Sequence, residues 1–330
     1  WIGFWGGGLA RLNPKTGKVI HWRNEKNDPL SLSYNDIWDI HEDRKGRIWI
    51  GSNGGGLDLF NDKSQNGFHN WNTNKRNKQN LSSNNINTIC ESITGNKYAD
   101  QTILWIGTAN GLNKFIIKND SIEKKSSNLD VEVIYYTVEN GLPDNTIESI
   151  LEDDNGNLWI GTSTALSFFN VKEKKFTNFS AADGLNGSSF NSSAAFKTSE
   201  GKMLIGCTNG LNYFDPKRIK QSSYSPPIVI TEFQIFNLKN RAGNLSSVIP
   251  GVPDSREFNL SYNQNDFSFQ FASLDYNAPE ENEYAYYLEG FDEDWIYSGK
   301  RRFVTYTNLD PGEYVFQVKA TNSDGLWSEQ

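Results

Sequence analysis

Two cysteines, one methionine and three histidines make up the entire soft-ligand inventory of this 330-residue chain. Cys90 and Cys207 fall in different sequence repeats, so no disulfide framework is expected, and two thiols are too few for a cysteine metal cluster. Both read as small buried side chains. Long apolar runs are also missing: nothing approaches the roughly 18 consecutive apolar residues of a membrane helix. A basic surplus is missing as well. The net charge is −8, and from residue 225 onward Lys and Arg number 7 against 16 Asp and Glu, leaving 25 against 24 before that point. Neither part offers the basic stripe that nucleic-acid binding requires, and no cofactor is expected. A leader is absent too: the chain opens at Trp1, inside a repeat, with no basic n-region or cleavage site, so it reads as part of a longer protein with any targeting segment upstream.

What the chain does contain is repetition. An aromatic or aliphatic residue, then Ile-Gly, a short polar loop and Leu recur five times: Trp1-Ile2-Gly3 to Leu9, Trp49-Ile50-Gly51 to Leu57, Trp105-Ile106-Gly107 to Leu112, Trp159-Ile160-Gly161 to Leu166, and Leu204-Ile205-Gly206 to Leu211. The starts lie 48, 56, 54 and 45 residues apart, the period of a four-stranded propeller blade. A lead-in precedes each apolar strand, as in Leu32-Ser33-Tyr34-Asn35, Leu81-Ser82-Ser83-Asn84 and Leu142-Pro143-Asp144-Asn145. Acidic turns ending in Gly46 and Gly156 then lead to the Trp-Ile-Gly strand, glycine supplying the positive φ of a tight hairpin. About four and a half blades are expected, over residues 1–224.

The Ser/Pro-rich segment 221–227 ends this rhythm and marks a domain boundary. Beyond it, alternating strands are predicted over 228–236, 258–262, 267–271, 284–288, 303–306 and 314–318. Six or seven such strands in about 100 residues imply an immunoglobulin-like β-sandwich over 225–330. The run Leu309-Asp310-Pro311-Gly312-Glu313-Tyr314 resembles a sandwich corner in which a Tyr hydroxyl ties down a turn. The fold expected is therefore all-β, a partial ring of four to five propeller blades followed by a sandwich.

These motifs, with Tyr284-Ala285-Tyr286-Tyr287-Leu288-Glu289-Gly290, Trp295 and Pro311-Gly312-Glu313-Tyr314, resemble the sensor regions of hybrid two-component systems of the Bacteroidetes type. There, regulator propeller repeats precede a Tyr-rich immunoglobulin-like domain. The resemblance implies a periplasmic region of an inner-membrane receptor, ending about where a membrane helix begins. It further implies a histidine kinase in a cytoplasmic part not present here and a poly- or oligosaccharide signal; the order of domains leads us to expect a homodimer formed through the sandwich.

Alternation of strand direction places the loop after the second strand and the lead-in to the next blade on one face, with the acidic turns opposite. That face carries the candidate ligand residues Trp5, Asn35, Trp38, Asn53, Asn85, Asn110, Asn145 and Asn209. Amides both donate and accept, and an indole adds an apolar face with an N–H at its edge, which suits an oligosaccharide. Trp5 and Trp38 depart from the repeat, Trp38 standing where aligned positions hold Asn87 and Glu148. The same Asn and Gly types also suit tight turns, and Trp49, Trp105 and Trp159 read as structural.

Three other readings compete. A propeller glycosidase or lyase needs paired carboxylates or a placed histidine, whereas His21 and His69 fall in outer strands and His41 beside an acidic turn. Calcium at the turn Asp153-Asp154-Asn155-Gly156 lacks the distal bidentate Glu. A protein-docking scaffold calls for an apolar loop face, which Asn, Gly and Ser do not make.

Overall fold

The computed structural model describes residues 1–61, 67–74, 80–94, 101–118, 129–219, 225–236, 246–252, 257–276, 279–322 and 325–328. The chain divides into two compact units, Trp1–Ile219 and Lys220–Gln330. Apart from two single-turn 3-10 segments, Val138–Asn140 and Ala181–Asp183, their described regular structure is β.

The first unit is a series of antiparallel meanders. The first sheet holds β1 (Ile2–Phe4), β2 (Gly8–Leu12) and β3 (Val19–Trp22). Three four-stranded sheets follow: β4 (Ile37–Glu42), β5 (Ile48–Ser52), β6 (Gly56–Asn61) and β7 (Gly67–Trp71); β8 (Ile86–Glu91), β9 (Thr102–Thr108), β10 (Gly111–Lys118) and β11 (Asp130–Tyr136); then β12 (Ile147–Glu152), β13 (Leu158–Thr162), β14 (Leu166–Asn170) and β15 (Lys175–Phe179). A three-stranded sheet of β16 (Phe190–Lys197), β17 (Met203–Cys207) and β18 (Gly210–Phe214) completes the unit. Sequential strand order within each sheet and packing of β8 against β4, β12 and β16 give propeller blades with β4, β8, β12 and β16 innermost.

The recurring Trp-Ile-Gly phrase lies in the second strand of each blade and is explained by packing on both faces. Trp49, Trp105 and Trp159 are buried between sheets, as are Ile50, Ile106 and Ile160. The glycine gives the next blade room. A Cβ on Gly51 would lie 2.6 Å from Ile86 Cγ2, one on Gly107 2.6 Å from Ile147 Cγ2, and one on Gly3 2.6 Å from Ile37 Cγ2. Each apolar residue that opens an innermost strand thus sits on the glycine of the preceding blade.

The acidic turns are closed by their own aspartates. Asp43 Oδ1 accepts the N–H groups of Lys45 (3.0 Å) and Arg47 (2.9 Å), while its Oδ2 accepts Arg47 Nε (2.6 Å) and the Trp49 indole N–H (2.8 Å). Asp153 repeats the pattern with the N–H groups of Asn155 (2.8 Å) and Asn157 (2.9 Å), which commits this carboxylate to a hairpin. The glutamates that end β8 and β12 act between blades. Glu91 accepts the N–H and Nε–H of Arg44 (2.9 and 3.1 Å), and Glu152 accepts the N–H groups of Ile93 and Thr94 (both 2.9 Å).

In the second unit, β19 (Ile228–Phe236), β20 (Ser246–Val252) and β21 (Phe267–Ser273) share a sheet with β24 (Phe303–Tyr306), in the order β20-β19-β21-β24. β22 (Tyr284–Glu289), β23 (Ile296–Gly299) and β25 (Val315–Ala320) form the other, in the order β23-β22-β25. Phe233, Phe269, Phe271, Tyr284, Tyr286, Leu288 and Tyr306 fill the core between them. The Tyr314 hydroxyl donates to the Asp310 carbonyl at 2.8 Å, the tie expected at this corner.

The strand predicted at 258–262 does not form. Phe258 and Leu260 still pack on the core, so the alternation there records one-sided burial without ladder pairing. β20 and β23, absent from the sequence reading, are both edge strands. β20 contains Pro250, which an edge tolerates because it need not donate on both sides.

Candidate ligand site on the loop face of the propeller

The lead-in asparagines brace the chain as it crosses between blades. Asn35 Oδ1 accepts the Asn24 N–H (2.8 Å), Asn84 Oδ1 the Thr73 N–H (2.8 Å) and Asn145 Oδ1 the Val138 N–H (2.9 Å). Their carbonyls take the N–H groups of Gly8 (2.9 Å), Gly56 (2.9 Å) and Gly111 (2.6 Å), which open the third strand of the blade before. The oxygens of Asn35 and Asn145 thus have defined framework partners. Asn53 and Asn85 form an isolated bridge linking two blades. Asn110 Nδ2 donates to the Ser82 carbonyl at 3.2 Å, and the carbonyl of Asn209 accepts Asn186 Nδ2 at 3.1 Å; both residues are exposed.

Three residues are set apart by register. Ile37 pairs with Ser52 but Asp39 with Gly51; Ile86 with Thr108 but Thr88 with Gly107; Ile147 with Thr162 but Ser149 with Gly161. The residues skipped are Trp38, Asn87 and Glu148. Each is the extra residue of a β-bulge at the loop-face end of an innermost strand, a device that re-aims a side chain out of the sheet alternation. In β16 the irregularity widens to the stretch between Phe190 and Ala195.

The bulges bring together residues distant in sequence. The Trp38 ring lies 5.8 Å from that of Trp5, which is 75% exposed. Trp38 Nε1 is buried and has no acceptor among the described residues. Asn87 Nδ2 donates to the Ile147 carbonyl (2.9 Å), and its own carbonyl accepts the Ser193 hydroxyl (3.1 Å). Glu148 accepts hydroxyls from Ser163 (3.2 Å) and Ser192. A sequence alignment of the repeats puts 38, 87 and 148 in one column, but only the strand register shows that this column bulges. Ser192 and Ser193 leave no such signal, because their blade departs from the repeat there.

Three further carboxylates read onto this face serve the framework: Asp36 Oδ1 accepts the Gly6 N–H (2.5 Å), Asp144 Oδ1 the Thr146 N–H (2.6 Å) and Asp183 Oδ2 the Ser180 N–H (2.7 Å). Asp39, one residue past a bulge, is raised above the usual carboxylate range by burial, against hydrogen bonds from the Ile89 and Ile40 amides. His21 and His69 lie in β3 and β7, the outermost strands of their blades, and His41 faces Trp49 across the ladder. Cys90 is partly exposed as a residue, yet desolvation of its thiol, and next the Glu152 carboxylate, push it up to about 12; Cys207 is buried and unpaired.

Sequence families map onto these units directly. The Two component regulator propeller family matches residues 31–54 and 141–164, each a lead-in, innermost strand and Trp-Ile-Gly strand, and the Y_Y_Y domain family matches residues 275–330. This chain carries two-component regulator propeller repeats followed by a Y_Y_Y domain. The buried Tyr284 and Tyr286 of the Y_Y_Y domain are part of its core. The crystal structure of the extracellular domain of the hybrid two component system BT3049 from B. thetaiotaomicron is similar over 98% of this chain and 41% of that one, with TM-score 0.77 and 30% identity. The corresponding domain of BT4673 from the same organism shares the fold, with TM-score 0.51 and 20% identity over 100% of this chain and 54% of that one. Histidine kinase P4 of Formosa agariphila is 27% identical over 334 residues, 100% of this chain and 23% of the kinase. The chain therefore spans less than half of the BT3049 domain and under a quarter of the kinase. Among the described residues, no helix is long and apolar enough to cross a membrane.

Proposed function

We propose that this chain is part of the periplasmic ligand-sensing region of a hybrid two-component receptor, and that it takes a poly- or oligosaccharide-derived signal on the loop face of its propeller. The observation that carries the sensor reading is the similarity to the BT3049 extracellular domain across propeller and Y_Y_Y domain together. The carbohydrate reading is supported by the Trp5–Trp38 pair, on a face whose loops are rich in Asn, Ser and Thr. The signal passes through the Y_Y_Y domain, paired with a second copy, to a histidine kinase across the membrane. Only a ligand with unequal affinity for two arrangements of the receptor can drive such a change.

Thermal-shift measurements on the intact protein, with oligosaccharides of defined length, test the reading, because a ligand of the native state raises the melting temperature by mass action. A rise of several degrees with one glycan class, lost in Trp5→Ala and Trp38→Ala, is expected. Release of reducing ends or unsaturated products by the purified protein would instead make it an enzyme. Crosslinking that found the Y_Y_Y domains unpaired with and without ligand would remove the dimer mechanism.

A further inference from the structure

We infer that the loop face selects a glycan free of carboxylate and sulfate groups, and that Glu148 is the residue that sets this selectivity; the inference rests on the reading of this face as a carbohydrate site. Glu148 is delivered to the face by its bulge, and its described partners are two hydroxyls, Ser163 and Ser192. An ionised carboxylate only accepts hydrogen bonds, so it favours a ligand that brings hydroxyl or ammonium donors.

The sign of the segments that flank the bulges agrees; the outer part of the first blade connection carries Arg23 and Lys26. The loops 4–7, 52–55, 108–110, 162–164 and 207–209, the lead-ins 33–36, 82–85, 143–146 and 186–189, and the bulged positions contain Asp36, Asp144 and Glu148 and neither Lys nor Arg. Arg23 approaches the edge, where its Nε donates to the Gly7 carbonyl at 3.2 Å. Recognition of a uronate or sulfate calls for the opposite arrangement, a guanidinium fork or an ammonium aimed into the site. A carboxylate at the loop face also adds to a negative field that lowers the local concentration of anionic ligands. On the same loop face, two blades away, the Trp5 ring is 75% exposed and packs on Trp38, a surface for stacking a sugar ring.

The test is isothermal titration of the intact protein with length-matched hexamers. Mannohexaose, xylohexaose, cellohexaose and laminarihexaose represent neutral glycans; hexagalacturonate and a κ-carrageenan hexamer represent anionic ones. Each is run against the wild type, Trp38→Ala, Glu148→Gln and Glu148→Lys. A neutral hexamer should bind, weaken on Trp38→Ala and Glu148→Gln, and exceed both anionic hexamers by about tenfold or more at low salt. Glu148→Lys should narrow or reverse that gap, and the near-isosteric Glu148→Gln keeps the test open if the lysine variant does not fold. An anionic hexamer that binds the wild type as tightly as the neutral ones, and is lost in Trp38→Ala, overturns the charge selectivity while leaving the carbohydrate reading intact. Neutral binding indifferent to all three substitutions removes Glu148 from the site, and no binding by any hexamer overturns both readings.

Discussion

At the scale of single residues, two positions show how a repeat constrains chemistry. A Cβ at Gly107 would lie 2.6 Å from Ile147 Cγ2 and 2.7 Å from Thr88 Cγ2, both in innermost strands. Gly107→Ala should therefore cost about 1–3 kcal/mol, the usual penalty for overpacking a core, read as a lower midpoint of urea unfolding. Asp58 is the second position. It is fully buried and accepts the Ser33 N–H (3.1 Å), the Ser33 hydroxyl (2.5 Å) and Asn70 Nδ2 (3.1 Å). Burial raises it to about 7 even though Ser33 and Asn70 pull it down. The folded state thus keeps a proton that the unfolded state releases near pH 4, so stability is full below about pH 4 and declines as pH rises through about 7. Other blades hold neutral residues in this role: Asn113 Oδ1 accepts the Ser82 N–H (2.9 Å) and Asn212 Oδ1 the Asn186 N–H (2.8 Å). Asp58→Asn should flatten the decline between pH 4 and 7 and gain on the order of a few kcal/mol above it, measured by unfolding across pH. A variant whose profile overlays the wild type would show that Asp58 ionises in the folded state at its ordinary pKa.

At the scale of elements, what was legible in the sequence is what recurs. Trp-Ile-Gly, the acidic turns and the lead-in asparagines each repeat because each solves one local packing or hydrogen-bonding problem in every blade, so their column predicts their place. The Tyr314 corner was readable for the same reason, as a local motif with a local bond. Pairing that depends on distant partners was not. Nothing in 258–262 distinguishes a half-buried loop from a strand, and the Pro250 that masks β20 is tolerated only because that strand is an edge. The bulges are register events, visible only once two strands are side by side, so Trp38 stood out by composition while Glu148 did not. The acidic pair illustrates both cases: Asp153 closes its own turn, as the spacing suggests, whereas Glu152 reaches across to Ile93 and Thr94, 59 and 58 residues away. Glu152→Ala leaves those two amides without their acceptor in a site where Glu152 is 4% exposed. A loss of about 2 kcal/mol in chemical denaturation is expected. Loss of under about 0.5 kcal/mol would mean that water replaces the carboxylate and that the clamp does not hold adjacent blades.

At the scale of the whole molecule, the two units are built on different kinds of cooperation, and unfolding should separate them. The propeller unit has several cores, each shared by adjacent blades, as where Trp49, Leu57 and Phe115 meet; its stability is close to a sum over blade interfaces. Among the described residues the Y_Y_Y domain has a single core between two sheets, so it should unfold all at once. Asp58 and Tyr314 give each unit its own probe. Asp58→Asn should alter one transition, and only its pH dependence. Tyr314→Phe, which removes the hydroxyl bond to the Asp310 carbonyl, should lower the other by about 1 kcal/mol at every pH from 4 to 8. Differential scanning calorimetry of the intact protein and both variants makes the comparison. If either substitution moves both transitions together, the units are energetically coupled at rest. In that case a change in the propeller unit would reach the Y_Y_Y domain through a coupling already present without ligand.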